Sequence, residues 1–304
     1  MSRTTPTLLR GLFRGLALLP LPVLHAAGYL VGSFIALFPN LYRRISLRNL
    51  ELCFPEMSHA QRARLLVKSL RETAKTVMET PLAWHGSRKR LLKLVKSVHG
   101  DELLKQGIEA GKGVIIASPH LGSWEIIGQY LQTRHPLTCM YKPPKSESFE
   151  TLMYRGRTHL GMDLAPTDAA GVRKLMGALK HGEQIGILPD QDPEEGGAGI
   201  FVPFFGIQAR TMTLLPKLAA KSGAAVLVAY AERLSWGRGY AIHFNPCDEA
   251  IRDTDPERAA GAMNRAVEAA VRECPQQYQW SYKRFRHRPN REPSPYRRTP
   301  PPEE

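Results

Sequence analysis

The four cysteines, Cys53, Cys139, Cys247 and Cys274, are scattered and form no C-x-x-C pair. That excludes a zinc framework and a disulfide scaffold, and fits reduced thiols in a cytosolic setting. Acidic residues are scarce, with 28 Asp and Glu against 42 Lys and Arg, for a net charge of +14 over 304 residues. Such an excess points to anionic partners: a phospholipid surface, a phosphorylated substrate, an acidic protein or nucleic acid. Nucleic acid has no motif in its favour, because zinc-finger spacing and an RNP-like aromatic strand are both missing. There is no internal repeat, and no interdomain linker before the C-terminal tail. Long uncharged runs are absent with one exception, Leu16 to Phe38. Its length suffices to span a hydrocarbon core, although Pro20, Pro22 and His25 weaken its first half. Arg10 and Arg14 precede it, Arg43, Arg44 and Arg48 follow, and no small-residue cleavage site comes after. Residues 1–45 therefore read as a membrane anchor, spanning or lying in the interface, rather than as a signal peptide. A buried hydrophobic hairpin is the alternative.

What is present is an alternation of helix and strand signals. Ser58 to Gln61 resembles a capping box. It opens a helix with Leu66, Leu70, Ala74, Val77 and Met78 on one face, closed by Pro81. Leu137–Tyr141, Gln184–Leu188, Ala224–Ala231 and Gly239–Phe244 read as strands. Val172, Leu175, Met176 and Leu179 mark a helix that stops at Gly182, and Thr211 to Ser222 marks another. Asp255-Pro256 starts a third, with aspartate as N-cap and proline at the first helical position. Phe201 to Gly206 is an apolar patch with two breakers. This order argues for an α/β domain around a largely parallel sheet, spanning residues 46–290. From 291 to 304 the chain is rich in Pro and Arg and reads as disordered.

The most informative stretch is Gly113-Val-Ile-Ile-Ala-Ser-Pro-His120-Leu-Gly-Ser-Trp-Glu125. A buried strand ends at Ser118-Pro119, His120 lies in the turn, and Glu125 lies in the first turn of an amphipathic helix. On one continuous helix the two would sit about 140° apart, so the turn must bring them together. A carboxylate on one imidazole nitrogen leaves the other basic, as a general base requires. The spacing alone is weak, since chance supplies about one His-x4-Asp/Glu match at this composition. The chain has three: His120/Glu125, His243/Asp248 and His287/Glu292. Only the first follows a strand and opens a helix.

Seven blocks in one order carry a resemblance over roughly Leu8 to Arg288: Arg48–Glu56, His120–Glu125, Tyr141–Pro144, Gly156-Arg157, Pro189–Asp192, Phe201–Gly206, and Gln277–Trp280 with Lys283–Phe285. The chain resembles the lipid A biosynthesis acyltransferases, the late acyltransferases of the lysophospholipid acyltransferase superfamily. The resemblance implies an α/β acyltransferase domain behind a membrane segment, on the cytoplasmic face of the bacterial inner membrane. It implies transfer of a fatty acyl group, usually from acyl carrier protein, to a hydroxyl of a Kdo-bearing, phosphorylated lipid A precursor. No metal or organic cofactor is implied. By motif, His120 is the general base, Glu125 its orienting partner, and Arg157, Asp190 and Asp192 contact substrate. One departure is Gln208-Ala-Arg210-Thr-Met-Thr213, where relatives commonly carry small, threonine-rich residues. Arg210 thus adds charge near the site that the resemblance implies.

An acyl thioester is already activated, so direct transfer needs one proton removed from the acceptor hydroxyl and no Ser or Cys nucleophile. The Asp190/Asp192 loop has an alternative reading as structural support for Arg157 or for the glycine-rich segment after it. The basic run Lys283–Arg288 reads as a patch for anionic lipid or an acidic carrier. Two other functions remain open: a glycerolipid acyltransferase using acyl-CoA, and a non-catalytic membrane-bound protein that holds anionic lipid. Pro189-Asp-Gln-Asp192, where the former usually shows a Pro-Glu-Gly-type block, argues against it. An intact His120/Glu125 pair argues against the latter.

Overall fold

The uncharged N-terminal run does not form one helix. In the structure, a computed structural model that describes residues 7–144, 146–193 and 197–297, it is split into α1 (Thr7–Leu18) and α2 (Leu21–Leu37), bent by 115°. Pro20 has no N–H to continue the first helix and disfavours helical backbone at Leu19. Among the described residues no single helix is long and apolar enough to cross a membrane. Asn40 caps α3 (Leu41–Cys53), its side chain accepting from the Arg43 N–H. The expected Ser58/Gln61 capping box starts α4 (His59–His85). Pro81 does not close that helix but lies inside it. The carbonyl it leaves without a donor belongs to Val77, on the solvent-facing side, so the loss is tolerated.

The chain then alternates. It runs through α5 (Arg88–Leu94), β1 (Val95–His99), α6 (Asp101–Glu109), β2 (Val114–Ala117), α7 (Trp124–Arg134) and β3 (Leu137–Tyr141). Next come α8 (Glu147–Thr158), β4 (Asp163–Pro166), α9 (Ala169–Lys180) and β5 (Gln184–Ile187). A hairpin of β6 (Gly199–Phe204) and β7 (Ile207–Met212) precedes α10 (Leu214–Ser222), β8 (Ala225–Arg233), β9 (Tyr240–Pro246) and α11 (Pro256–Glu273). The helix expected from Thr211 starts later because Thr211 and Met212 pair with Ile200 and Gly199. The hairpin turns through Phe205 and Gly206, both at positive φ (52° and 75°), as a tight two-residue connection requires.

Seven strands form one sheet in the order β1-β9-β8-β2-β5-β3-β4, parallel throughout except for β8 against β9. The expected α/β fold, with helices flanking a mostly parallel sheet, is what the structure shows. β2 is buried on both faces, as befits a central parallel strand. Ile115 and Ala117 join one apolar core with Ile185, Ile187 and Val228, while Val114 and Ile116 join another with Ile126, Tyr130 and Leu227. The tail beyond 290 is corrected in part. Tyr296 is buried, its hydroxyl donating to Asn49 (2.5 Å) and accepting from the Phe285 N–H (3.1 Å). Residues 298–304 lie outside the described residues.

α2 lies close along α4 because it presents glycines there. A Cβ on Gly28 would stand 2.6 Å from Lys75 Cα, and one on Gly32 would stand 2.4 Å from Arg71 Cα. A Gly32→Leu variant forces the helices apart and lowers stability by about 1–3 kcal/mol, read as a fall in melting temperature by circular dichroism. Leu30→Ser on the exposed side of the same helix changes it by less than about 0.5 kcal/mol.

Candidate active site

The parallel pairing of β2 with β5 builds the centre of the site. Ala117 stands opposite Ile187, so three residues further along each strand place His120 beside Asp190. Asp190 grips the histidine twice. Its Oδ1 accepts from the ring Nδ1 (2.9 Å) and its Oδ2 from the backbone N–H of His120 (2.9 Å). Burial works to raise this carboxyl, but the His120 charge and these hydrogen bonds outweigh it and keep Asp190 below the usual carboxylate range. The Tyr278 hydroxyl leans on the same carboxylate, and burial together with the Asp190 charge pushes that phenol far up. With Nδ1–H donated to Asp190, the lone pair is on Nε2, where the Gln191 side-chain amide donates to it (3.1 Å). Gln279 completes this side, its backbone N–H donating to the His120 carbonyl (3.0 Å).

The His120–Glu125 pair expected from the spacing does not form. Glu125 starts α7 and is buried, but its carboxylate accepts from Arg157 Nη2 (2.5 Å), Arg157 Nε (3.2 Å) and Trp84 Nε1 (2.7 Å). Burial opposes its charge, yet the Arg157 guanidinium and the Trp84 bond hold its carboxyl below the ordinary value. The reason is geometric. His120 leaves the end of β2 towards β5, while α7 turns Glu125 under its own N-terminus towards α4 and α8. The other two spacing matches fail as well. His243 bonds Glu232 (3.0 Å), and the His287 ring bonds Asp192.

Both acidic residues of the loop after β5, expected at the substrate or as structural support, are buried and bonded to other protein groups. Asp190 and Asp192 are only 4% and 8% exposed. Asp192 is spent on Arg286 Nε (3.1 Å), the His287 ring and Arg210 Nη1 (3.5 Å), tying the loop to the chain's C-terminal segment. Arg157 is more available. Glu125 occupies Nε and Nη2 and leaves Nη1 without a partner among the described residues. Several contributors were not expected. Trp84 lies in no recognised block, and Gln191, Tyr278 and Gln279 stand inside recognised blocks that had no role attached to these residues.

Beneath the turn lies a buried ionic network. Arg233, at the end of β8, donates from Nη2 to the Gly122 carbonyl (2.8 Å) and from Nε to Glu79 of α4 (2.9 Å). Glu79 also accepts from Tyr240 (2.9 Å) and meets the His25 ring (2.9 Å). Gln277 clamps the Arg233 backbone from both sides (2.8 and 2.9 Å). Gly122 itself must be glycine: at φ 61° a Cβ would stand 2.1 Å from the Ala231 carbonyl oxygen. Burial acts to raise the Glu79 carboxyl, but Arg233 and His25 bring it down to about 2.

A histidine whose one nitrogen is held by a buried carboxylate can accept a proton at the other, and neither Ser118 nor Ser123 bonds the His120 ring. The chain is an acyltransferase: residues 3–287 match the family described as bacterial lipid A biosynthesis acyltransferase, and the chain belongs to that family. It is 32% identical over 279 residues to the lipid A biosynthesis palmitoleoyltransferase of Escherichia coli, covering 91% of this chain and 90% of that one. It is 30% identical to the lipid A biosynthesis lauroyltransferase of the same organism, with the same coverage. A lipid A biosynthesis acyltransferase of Haemophilus influenzae is 30% identical over 92% of this chain and 89% of its own length.

Depressed carboxyls fix the sign of the acid response. Glu79, Glu125 and Asp190 contribute stability that is complete above the unfolded carboxylate value of about 4 and is lost as pH falls through their lower folded values. Arg233→Met leaves Glu79 buried without its cation and costs about 3–5 kcal/mol. Acid unfolding followed by tryptophan fluorescence then begins at higher pH than in the wild type.

Proposed function

We propose that His120 is the general base that removes the proton from an acceptor hydroxyl of a Kdo-bearing lipid A precursor, as that oxygen attacks the carbonyl of an acyl thioester. The observation that carries this reading is the double grip of Asp190 on His120, which fixes the Nδ1–H tautomer and leaves Nε2 basic. Asp190 stabilises the imidazolium as the proton arrives, and the leaving thiolate takes that proton back. The Gln191 amide now occupies Nε2, so the incoming hydroxyl displaces it. Neither Ser118 nor Ser123 bonds the imidazole, which favours direct transfer over an acyl-enzyme. Charge on the carbonyl oxygen during attack has two candidate partners. One is the open Nη1 of Arg157, fixed in place by Glu125. The other is the first turn of α7, whose backbone N–H groups have no acceptor within the helix.

The donor in this reading is acyl carrier protein, with acyl-CoA as the alternative, and no metal or organic cofactor takes part. We place the enzyme on the cytoplasmic face of the bacterial inner membrane. Support for membrane attachment comes from α1 and α2, where Leu8, Leu12, Leu18, Leu30, Phe34 and Leu37 are all more than half exposed. Apolar exposure on that scale marks an interaction surface, and helices bent by 115° suit lying in the interface.

Mass spectrometry of lipid A from cells with and without this protein tests the reading. Deletion is expected to remove one fatty acyl mass, restored by the wild type and not by His120→Ala. In purified enzyme, His120→Ala lowers kcat by about 10²–10⁴-fold. Unchanged lipid A, in cells that express the protein and lack a paralogue, would overturn it and bring the glycerolipid reading forward.

A further inference from the structure

On the far side of the Asp190–Asp192 loop lies a cavity of about 440 Å³ that the acyl-transfer chemistry does not use. Its size falls within the range of small-ligand pockets, about 300–1,000 Å³. Arg210, Arg286, His287, Arg288 and Arg291 line it, with Glu292 as the one acid among the described lining residues. Three of these arginines, Arg210, Arg286 and Arg288, are held by protein partners. Asp192 takes Arg286 and Arg210; the Pro193 and Gly197 carbonyls accept from Arg210 (2.8 and 2.7 Å); and Arg288 donates to the Gln208 carbonyl (3.1 Å) and, from Nη2, to Glu292 (3.1 Å). Below them the buried Arg284 bonds the Arg210 carbonyl (2.6 Å) and the Thr211 hydroxyl (2.8 Å).

The wall carrying Arg291 is strained. Asn290 and Arg291 both adopt positive φ (53° and 58°), a conformation that costs free energy in residues with a side chain and is found disproportionately at ligand sites. Among the described residues, four arginines and a histidine face two carboxylates: Asp192, buried below the rim, and Glu292, paired with Arg288. Preorganised guanidinium groups around a concavity suit the oxygens of a phosphate, which they meet with paired, charge-assisted hydrogen bonds.

We infer that this cavity is a phosphate site that binds a phosphomonoester of the glycolipid acceptor. The inference rests on the proposed acyl transfer to a phosphorylated lipid A precursor. Because Asp192 belongs to the loop that also carries Asp190, a headgroup phosphate seated there is anchored to the same segment that fixes His120. Phosphate binding and hydroxyl positioning are thereby coupled through one short stretch of chain.

Two measurements on the full-length enzyme test this, with Arg288→Ala and Arg291→Glu separately and together. Steady-state kinetics with the bis-phosphorylated acceptor should show its KM raised about tenfold for each variant, the size of one lost charge-assisted contact, with the donor KM within twofold. With acceptor stripped of one phosphate, the difference between variant and wild type should vanish for the phosphate that occupies the cavity. Calorimetry with inorganic pyrophosphate should show binding to the wild type that both substitutions weaken. A selective rise in the donor KM would overturn the inference and assign the surface to the carrier. Pyrophosphate binding that ignores both substitutions would overturn it too. If acyl transfer occurs but acceptor phosphates make no difference, the phosphate site fails while the function stands. If no transfer to lipid A precursors occurs but arginine-dependent pyrophosphate binding persists, the function fails while the anion site stands.

Discussion

The register between β2 and β5 is the constraint from which the site follows. Two parallel strands aligned with Ala117 opposite Ile187 leave the sheet side by side, and three residues later each delivers one half of the His120–Asp190 pair. Parallel strands cannot slip by one residue without turning every side chain to the opposite face. Here both faces are packed, with Ile115 and Ile185 on one side and Val114 and Ile116 on the other. Core packing therefore sets the distance between His120 and the Asp190 carboxylate, at the C-terminal edge of a parallel sheet where such folds place their ligands.

Beneath that edge, charge is used as scaffold. The buried Arg233–Glu79 pair links β8 to α4 and hydrogen-bonds the Gly122 carbonyl, while His25 brings the N-terminal helix α2 into the same network. The Glu125–Arg157 pair plays a similar part on the other side of the turn, with Trp84 as its third member. Two carboxylates that a linear reading would group with catalysis, Glu125 and Asp192, are thus committed to holding arginines. The carboxylate that touches the histidine is seventy residues away in sequence.

Much of the frame was legible in the sequence because local rules govern it. The Ser58/Gln61 box, the Asp255-Pro256 helix start and the strand–turn–helix around His120 each depend on neighbours a few residues apart. The partner of His120 was not legible from spacing, because strand pairing that joins Ala117 to Ile187 leaves no periodic trace. Asp190 was picked out only as part of a motif, and its role came from topology. Pro81 misled for a related reason: whether a proline ends a helix depends on whether the orphaned carbonyl can reach water. The N-terminal run was misleading in length, since Pro20 divides a stretch whose composition alone suffices to span a bilayer. Tyr296 shows the limit of compositional reasoning about tails, because its buried hydroxyl, bonded to Asn49 and to the Phe285 N–H, docks the start of a Pro- and Arg-rich segment.

The claim on which this account turns is that Asp190, and not Glu125, sets the state of His120. Nitrogen-15 NMR of the His120 ring in its neutral form tests it most directly. The account predicts the Nδ1–H tautomer in the wild type, kept in Glu125→Gln and lost in Asp190→Asn. An Nε2–H tautomer in the wild type, or one that responds to Glu125→Gln and ignores Asp190→Asn, would contradict it.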